Sequence, residues 1–177
     1  ISAFNFPVAV WSWNTALAWI CGDACIWKPS EKSALCSIAC QNIWNEVADA
    51  NQLPAGLSCV VNGRAAIGEA MSNDRRVGLV SATGSTRMGK AVATAVAARL
   101  GKSLLELGGN NAVIITPEAD LKMVIPALVF GAVGTCGQRC TSTRRLIIQN
   151  SIYDQVIQHL VSAYGQLRVG GPLDENN

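Results

Sequence analysis

The sequence predicts an α/β fold built on a largely parallel sheet. Short apolar runs alternate along the chain with segments of helical period, as strand–helix–strand units require. Half of the 177 residues are apolar and only 15% are charged. That balance suits a parallel sheet covered on both faces, or part of a larger protein whose interface lies elsewhere. Glycine and proline mark the ends of most runs, and no internal repeat interrupts the alternation.

In chain order, "ISAFNFP" reads as a strand ending at Pro7, followed by an apolar helix to about Gly22. "ACIWKP" is a strand stopped by Pro29. Ser30 to about Ala50 has an amphipathic helical period, with Glu31 in its first turn and "NQLPAG" as its exit. "LSCVV" and "VGLVSA" are short buried strands flanking a helix near Ala65 to Asn73. "TGSTRMG" opens the Ala-rich helix "KAVATAVAARLG", and "LLELGG" and "AVIIT" follow as strands. "PEADLKMVIPALVFGAVG" predicts a helix capped near Asp120, which Pro126 must kink or delay. "RRLIIQ" is the last strand, and "SIYDQVIQHLVSAYGQL" is a helix with Ser151 as its cap. The sharpest break is "GGNN", residues 108–111, so the expected units are 1–109 and 110–177.

Composition narrows the partners. A net charge of +2, with basic doublets only at Arg75-Arg76 and Arg144-Arg145 and no aromatic-rich strip beside them, argues against nucleic acid. No apolar run reaches the length of a membrane span. The chain starts at Ile1 without an initiator Met and stops in a polar run, which reads as a fragment. Seven cysteines are an odd number for a disulfide framework and sit mostly among apolar neighbours, so buried, reduced and cytoplasmic is the expectation. Three pairs share a C-x-x-x-C spacing, but there is no C-x-x-C and only one histidine, His159; no metal is expected.

Four segments carry possible chemistry. In "VSATGSTRMG", the turn Thr83-Gly84-Ser85-Thr86 opens onto a helix N-terminus, where free N–H groups and the helix dipole suit an anion; a plain strand–helix turn is the bland alternative. "WKPSE" puts Lys28 at a strand's carboxyl end and Glu31 in the next first turn. Open α/β sheets bind ligands at that edge, and such a pair suits a ribose; a solvated ion pair is the alternative. Glu106 lies inside the apolar "LELGG" strand, where it either has a partner as a structural glutamate or has a raised pKa fit for a general base. "GTCGQRCTSTRRL" holds Cys136 and Cys140 four apart: a metal site, a redox pair, a packing accident or a nucleophile.

The order "FNFP … KPSE … TGSTRMG … LELGG … GQRCT" resembles the aldehyde dehydrogenase superfamily over essentially the whole chain, with Glu106 and Cys140 34 residues apart. "ELGGNNA" and "GTCGQRCTSTRRL" are similar to its antiquitin-type branch, the α-aminoadipic semialdehyde (piperideine-6-carboxylate) dehydrogenases. The sequence departs from the pattern at Cys136, where a small Ala is expected, and at Ala82, where an aromatic residue often stands.

The resemblance implies a Rossmann-like, partial NAD-binding domain in 1–109 and the N-terminal part of the catalytic domain in 110–177. It makes Cys140 the nucleophile and Cys136 a small buried neighbour. Thiolate attack on the aldehyde gives a hemithioacetal oxyanion, held by the Asn5 amide and the Cys140 N–H. Loss of hydride to the nicotinamide leaves a thioester, which water activated by Glu106 hydrolyses. Lys28 and Glu31 are implied for the adenosine ribose, Ser85 for the pyrophosphate, and Thr83 and Gly84 for the nicotinamide side. Glu31 would repel a 2′-phosphate, so NAD is expected rather than NADP.

The same resemblance gives Arg139 the substrate's α-carboxylate, a task that suits a bidentate donor; bonding loop carbonyls is its alternative role. His159 is expected at the surface, and Arg144 and Arg145 in packing or ion pairs. A small aldehyde is the expected partner, the parent is expected to be a dimer or tetramer, and the segment alone is expected to be inactive. Two rival readings stand beside this one: a truncated interaction module with idle motifs, and a thiol esterase using Cys140 and Glu106 without NAD.

Overall fold

The structure is a computed structural model in which residues 1–174 are described. Its elements in order are α1 (Ala9–Ile20), β1 (Cys25–Trp27), α2 (Ala34–Ala50), β2 (Ser58–Val60), α3 (Ala65–Asn73), β3 (Leu79–Gly84), α4 (Thr86–Ala98), β4 (Lys102–Leu107), β5 (Asn111–Ile115), α5 (Leu121–Val133), β6 (Thr143–Ile148) and α6 (Tyr153–Tyr164). The chain divides into two compact units, Ile1–Gly108 and Gly109–Asn177.

In the first unit β1 pairs with β2, and β3 with β4; both pairs are parallel. The expected first strand shrinks to Ile1 and Ser2. The Ile1 terminal ammonium donates to the Ser81 carbonyl (2.9 Å) and the Ile1 carbonyl accepts from the Thr83 N–H (3.0 Å), a parallel pattern. On the other side the Ser2 N–H donates to the Lys28 carbonyl at 3.0 Å, so these two residues join the end of β1 to β3. Residues 4–8 form turns instead of continuing the strand, as an Asn and a Pro two residues apart favour. Trp27 Nε1 donates to the Ser2 hydroxyl (2.7 Å) and its ring stacks on Trp11 (4.9 Å between centroids), which fastens α1 to β1.

Behind β3 the core is Val80, Ala82, Val92 and Val96, with Leu105 and Met88 packed against it. α4 approaches the sheet closely: a Cβ on Gly89 would lie 2.4 Å from a Leu107 methyl. The second glycine of "TGSTRMG" therefore serves helix–strand contact.

In the second unit β5 and β6 are parallel, with a bulge where Asn111 faces Thr143 but Ala112 faces Arg145. One side of the pair is covered by α5 and α6 around Ile115, Ile125, Leu128, Val156 and Leu160. The Asp120 side chain caps α5 by accepting from the Lys122 N–H at 2.9 Å, and the helix starts without delay and runs through Pro126. Proline's missing N–H leaves the Lys122 carbonyl without its helical donor; burial of Ile125 and Leu128 on the same turn holds the segment helical nonetheless. Ser151 is not a cap. It lies in the 3-10 turn Asn150–Ile152, and α6 begins at Tyr153 with no side-chain cap bond.

The cysteines correct the composition reading. All seven are free and none is buried: Cys21, Cys136 and Cys140 are exposed, and the other four are half-buried. Apolar neighbours in sequence do not enclose them because α1 and α2 turn Leu17, Ile20, Leu35 and Ile43 to solvent. Among the described residues no helix is long and apolar enough to cross a membrane, and no cluster of three or more His, Cys, Asp or Glu could hold a metal.

Candidate functional site

The carboxyl ends of β1 and β3 lie at one edge of the first unit's parallel strands, because the Ile1–Ser2 backbone bonds to both. Lys28 follows β1 and is buried, and its Nζ is 3.8 Å from a Glu31 carboxyl oxygen. A buried ammonium needs such a partner. Glu31 is the first residue of the 3-10 turn Glu31–Ser33, capped by the Ser30 hydroxyl, which accepts from the Lys32 N–H at 3.3 Å. Its own backbone N–H, and then Lys28, Lys32 and Arg64, hold its carboxyl below the usual glutamate range.

At the end of β3 the chain passes Thr83 and Gly84 into Ser85, the N-cap of α4. The Ser85 hydroxyl accepts from the Met88 N–H (3.2 Å), and its carbonyl accepts from the Gly89 N–H (2.9 Å). An accepting hydroxyl still has its own proton to donate. The N–H groups of Thr86 and Arg87, in the first turn, have no intrahelical acceptor. This end of α4 therefore offers several donors, with the helix dipole behind them, to an anion.

Asn5 sits half-buried in the turn that precedes α1. Glu106 faces Thr83 across the β3–β4 ladder, and its side chain is exposed. Among the described residues β4 pairs only with β3, and it shows Lys102, Ser103, Leu104 and Glu106 to solvent. The apolar run of β4 does not bury Glu106 among the described residues.

In the second unit Cys140 lies on the loop joining α5 to β6. Thr135 (φ 55°, ψ 42°) and Cys136 (φ 52°, ψ 32°) are left-handed, and Gly137 follows at φ 64°. Left-handed backbone costs a non-glycine residue about 1–2 kcal/mol, so the loop needs side-chain support. The Gln138 N–H donates to the Thr135 carbonyl (2.9 Å), and the Arg144 guanidinium donates to the Gly137 carbonyl (3.1 Å). Arg139 bonds inward: Nε donates to the Thr135 hydroxyl (2.8 Å), its N–H donates to the Ser142 hydroxyl (3.1 Å), and its guanidinium lies 4.7 Å from the Phe130 ring centroid.

Both peptide planes flanking Cys140 are held. Asn111 Nδ2 donates to the Cys140 carbonyl (2.7 Å) and to the Ser142 carbonyl (3.1 Å). The Ser142 N–H donates to the Arg139 carbonyl at 3.2 Å. In a trans peptide the N–H points away from the C=O, so the bond that fixes the Arg139 carbonyl also aims the Cys140 N–H. The Cys140 side chain is exposed. Cys136 is exposed as well, and is not the buried neighbour expected: consecutive left-handed residues turn it outward.

Three residues that sequence reasoning passed over hold this loop: Asn111, Thr135 and the fully buried Ser142. Ser142 had a local signal, a hydroxyl within a turn of Arg139. Asn111 had none, being 29 residues from its Cys140 acceptor. Arg145 bonds the Asn110 carbonyl (2.8 Å), and His159 is exposed on α6 with Nδ1 2.7 Å from the Gln155 carbonyl.

The aldehyde dehydrogenase family matches residues 1–177. The α-aminoadipic semialdehyde dehydrogenase of Bos taurus is 53% identical over 176 residues, which is 99% of this chain and 33% of that protein. Betaine aldehyde dehydrogenase from Staphylococcus aureus, solved with NAD+, superposes with a TM-score of 0.92 at 31% identity, over 99% of this chain and 34% of that one. An Escherichia coli NADP-dependent enzyme superposes at 0.89 with 30% identity, over 98% of this chain and 36% of that one. The chain thus spans about a third of the length of the relatives it matches. It belongs to the aldehyde dehydrogenase family.

Proposed function

We propose that this segment of an aldehyde dehydrogenase carries the cysteine nucleophile and part of the dinucleotide site of an enzyme that oxidises α-aminoadipic semialdehyde to the acid. The observation that carries the reading is the loop at Cys140: an exposed thiol whose flanking peptides are both fixed, by Asn111 and by Ser142. Catalysis by differential binding needs donors that are already aimed before charge develops, and a fixed peptide plane provides that.

The residues of the first unit fit a dinucleotide. Lys28 and Glu31 would hold the adenosine ribose, the Ser85 hydroxyl and the N-terminus of α4 the pyrophosphate, and Thr83 and Gly84 the nicotinamide side. The ionised Glu31 disfavours a 2′-phosphate, which supports NAD over NADP. When bound, the nicotinamide supplies the hydride acceptor.

Cys140, as thiolate, attacks the aldehyde carbon and forms the carbon–sulfur bond. Its own N–H and the Asn5 amide receive the oxyanion, each such donor contributing a factor of about 10²–10³ in rate. Glu106 takes a proton from the water that hydrolyses the thioester and frees Cys140. Arg139 takes the substrate's α-carboxylate by exchanging its contacts with Thr135 and Phe130 for a bidentate pair. The parent works as a homo-oligomer, and seven free thiols favour a reducing, cytoplasmic setting.

The test is NADH formation by the full-length protein, with α-aminoadipic semialdehyde against a simple aliphatic aldehyde. A strong preference for the semialdehyde is expected. Equal rates would remove the substrate and Arg139's part in it, and no nicotinamide-dependent turnover of either aldehyde would remove the enzyme.

A further inference from the structure

We propose that Cys136 is a resolving thiol for Cys140, and that a hydroperoxide converts the pair reversibly into a disulfide that closes the loop. The inference rests on the reading of Cys140 as the nucleophile. Three features of the loop support it. Both thiols are free and exposed. Each thiol sits inside a closed turn: Gln138 onto Thr135 (2.9 Å) encloses Cys136, and Ser142 onto Arg139 (3.2 Å) encloses Cys140. Extended, four residues would separate the two Cα atoms by about 13 Å, beyond the reach of a disulfide; successive turns shorten that path. Finally, Cys136 occupies a left-handed backbone position where it contributes nothing to either hydrophobic core. Strained positions of that kind concentrate at functional sites, and cysteine lacks the side-chain amide with which asparagine relieves the strain.

The chemistry closes without a further reactant. The Cys140 thiolate attacks one peroxide oxygen; the O–O bond breaks, hydroxide leaves and takes up a proton, and Cys140 becomes a sulfenic acid. The Cys136 thiolate then attacks that sulfur, the S–O bond breaks, and hydroxide leaves as a second water. Two thiols are oxidised by two electrons and the peroxide is reduced to water. A dithiol reverses the modification by exchange. Without Cys136 the sulfenic acid stays open to further oxidation, to the irreversible sulfinic acid.

Full-length protein treated with hydrogen peroxide and digested with trypsin without reductant tests this directly, because trypsin cuts between Arg139 and Cys140. A disulfide then appears as two peptides joined through Cys136 and Cys140, and collapses to separate masses on reduction. The wild type is expected to lose activity about tenfold or more with peroxide and to recover to within about twofold with dithiothreitol. C136A should start with near wild-type activity, lose it in the same way, and recover about tenfold less, with Cys140 found as the sulfinic acid. Absence of the joined peptides from inactivated wild type, or equal recovery of wild type and C136A, overturns the proposal. An active C140A variant would overturn the nucleophile itself, a failure distinguishable from loss of the disulfide alone.

Discussion

The turn that opens α4 and the loop that carries Cys140 are both short connections at strand ends, yet they are held by different forces. The α4 turn is held from behind. Its shape follows from β3, from the cap at Ser85 and from the close fit of Gly89 on Leu107, all backed by the Val80, Ala82, Val92 and Val96 core. The Cys140 loop has no such backing. Its backbone is unfavourable at Thr135 and Cys136, and it keeps its form through side chains that reach in from Asn111, Ser142, Arg139 and Arg144. The first site is a by-product of regular structure, whereas the second is assembled bond by bond. The difference suits the proposed roles: an anion site that needs only backbone donors, and a nucleophile that needs two peptide planes aimed at once.

Mutations sharpen that contrast, and the largest effect is expected at Cys140, the proposed nucleophile. Cys140→Ala should abolish aldehyde oxidation by the full-length protein, a loss of about 10³ or more, while Cys136→Ala keeps most of the rate. Equal losses in steady-state NADH formation would assign the thiol chemistry wrongly.

Next comes the pin. Asn111→Ala removes two bonds, each worth about 0.5–1.5 kcal/mol. We expect kcat to fall about tenfold with far-ultraviolet circular dichroism unchanged, because the loop loosens while β5 and β6 stay paired. An unchanged kcat would show that the loop does not depend on Asn111.

In the α4 turn the same logic predicts damage to stability before catalysis. Gly89→Val forces a side chain into Leu107 and should lower stability by about 1–3 kcal/mol in urea unfolding. Valine is the sharper choice, since alanine's helix preference, about 1 kcal/mol over glycine, offsets part of the clash. A neutral Gly89→Val would mean that helix and strand are not closely seated.

The smallest effect is expected from Ser85→Ala, about 1 kcal/mol from the lost cap. A several-fold rise in KM for NAD should accompany it through the lost hydroxyl donor. A stability loss with KM unchanged would leave Ser85 as a cap alone.

Much of this molecule could be read from its residues. Every helix was expected near where it lies because apolar period and punctuation by glycine and proline act within a few residues of each other. Asp120 could be placed at a helix start for the same reason, whereas α4 begins at Thr86, ahead of the Ala-rich run expected as helix from Lys90. The motif order that marks the family is also a property of the linear chain.

What the linear chain did not disclose depends on partners distant in sequence. Ile1 and Ser2 act as a strand only because β1 and β3 lie on either side of them, while Pro7 and Asn5 turn the following residues away. Ser151 yields the start of α6 to Tyr153, since a preceding 3-10 turn uses the residues that a cap would need. Glu106 sits among apolar neighbours in sequence and Cys136 is expected as a buried neighbour of Cys140, yet both are exposed. Local pattern fixes which residues become helix or strand, since those choices are made over three or four residues. Burial, and the aim of a peptide plane such as the one at Cys140, are decided only when segments far apart meet, because a hydrogen bond from Asn111 exists only once β5 and β6 are paired.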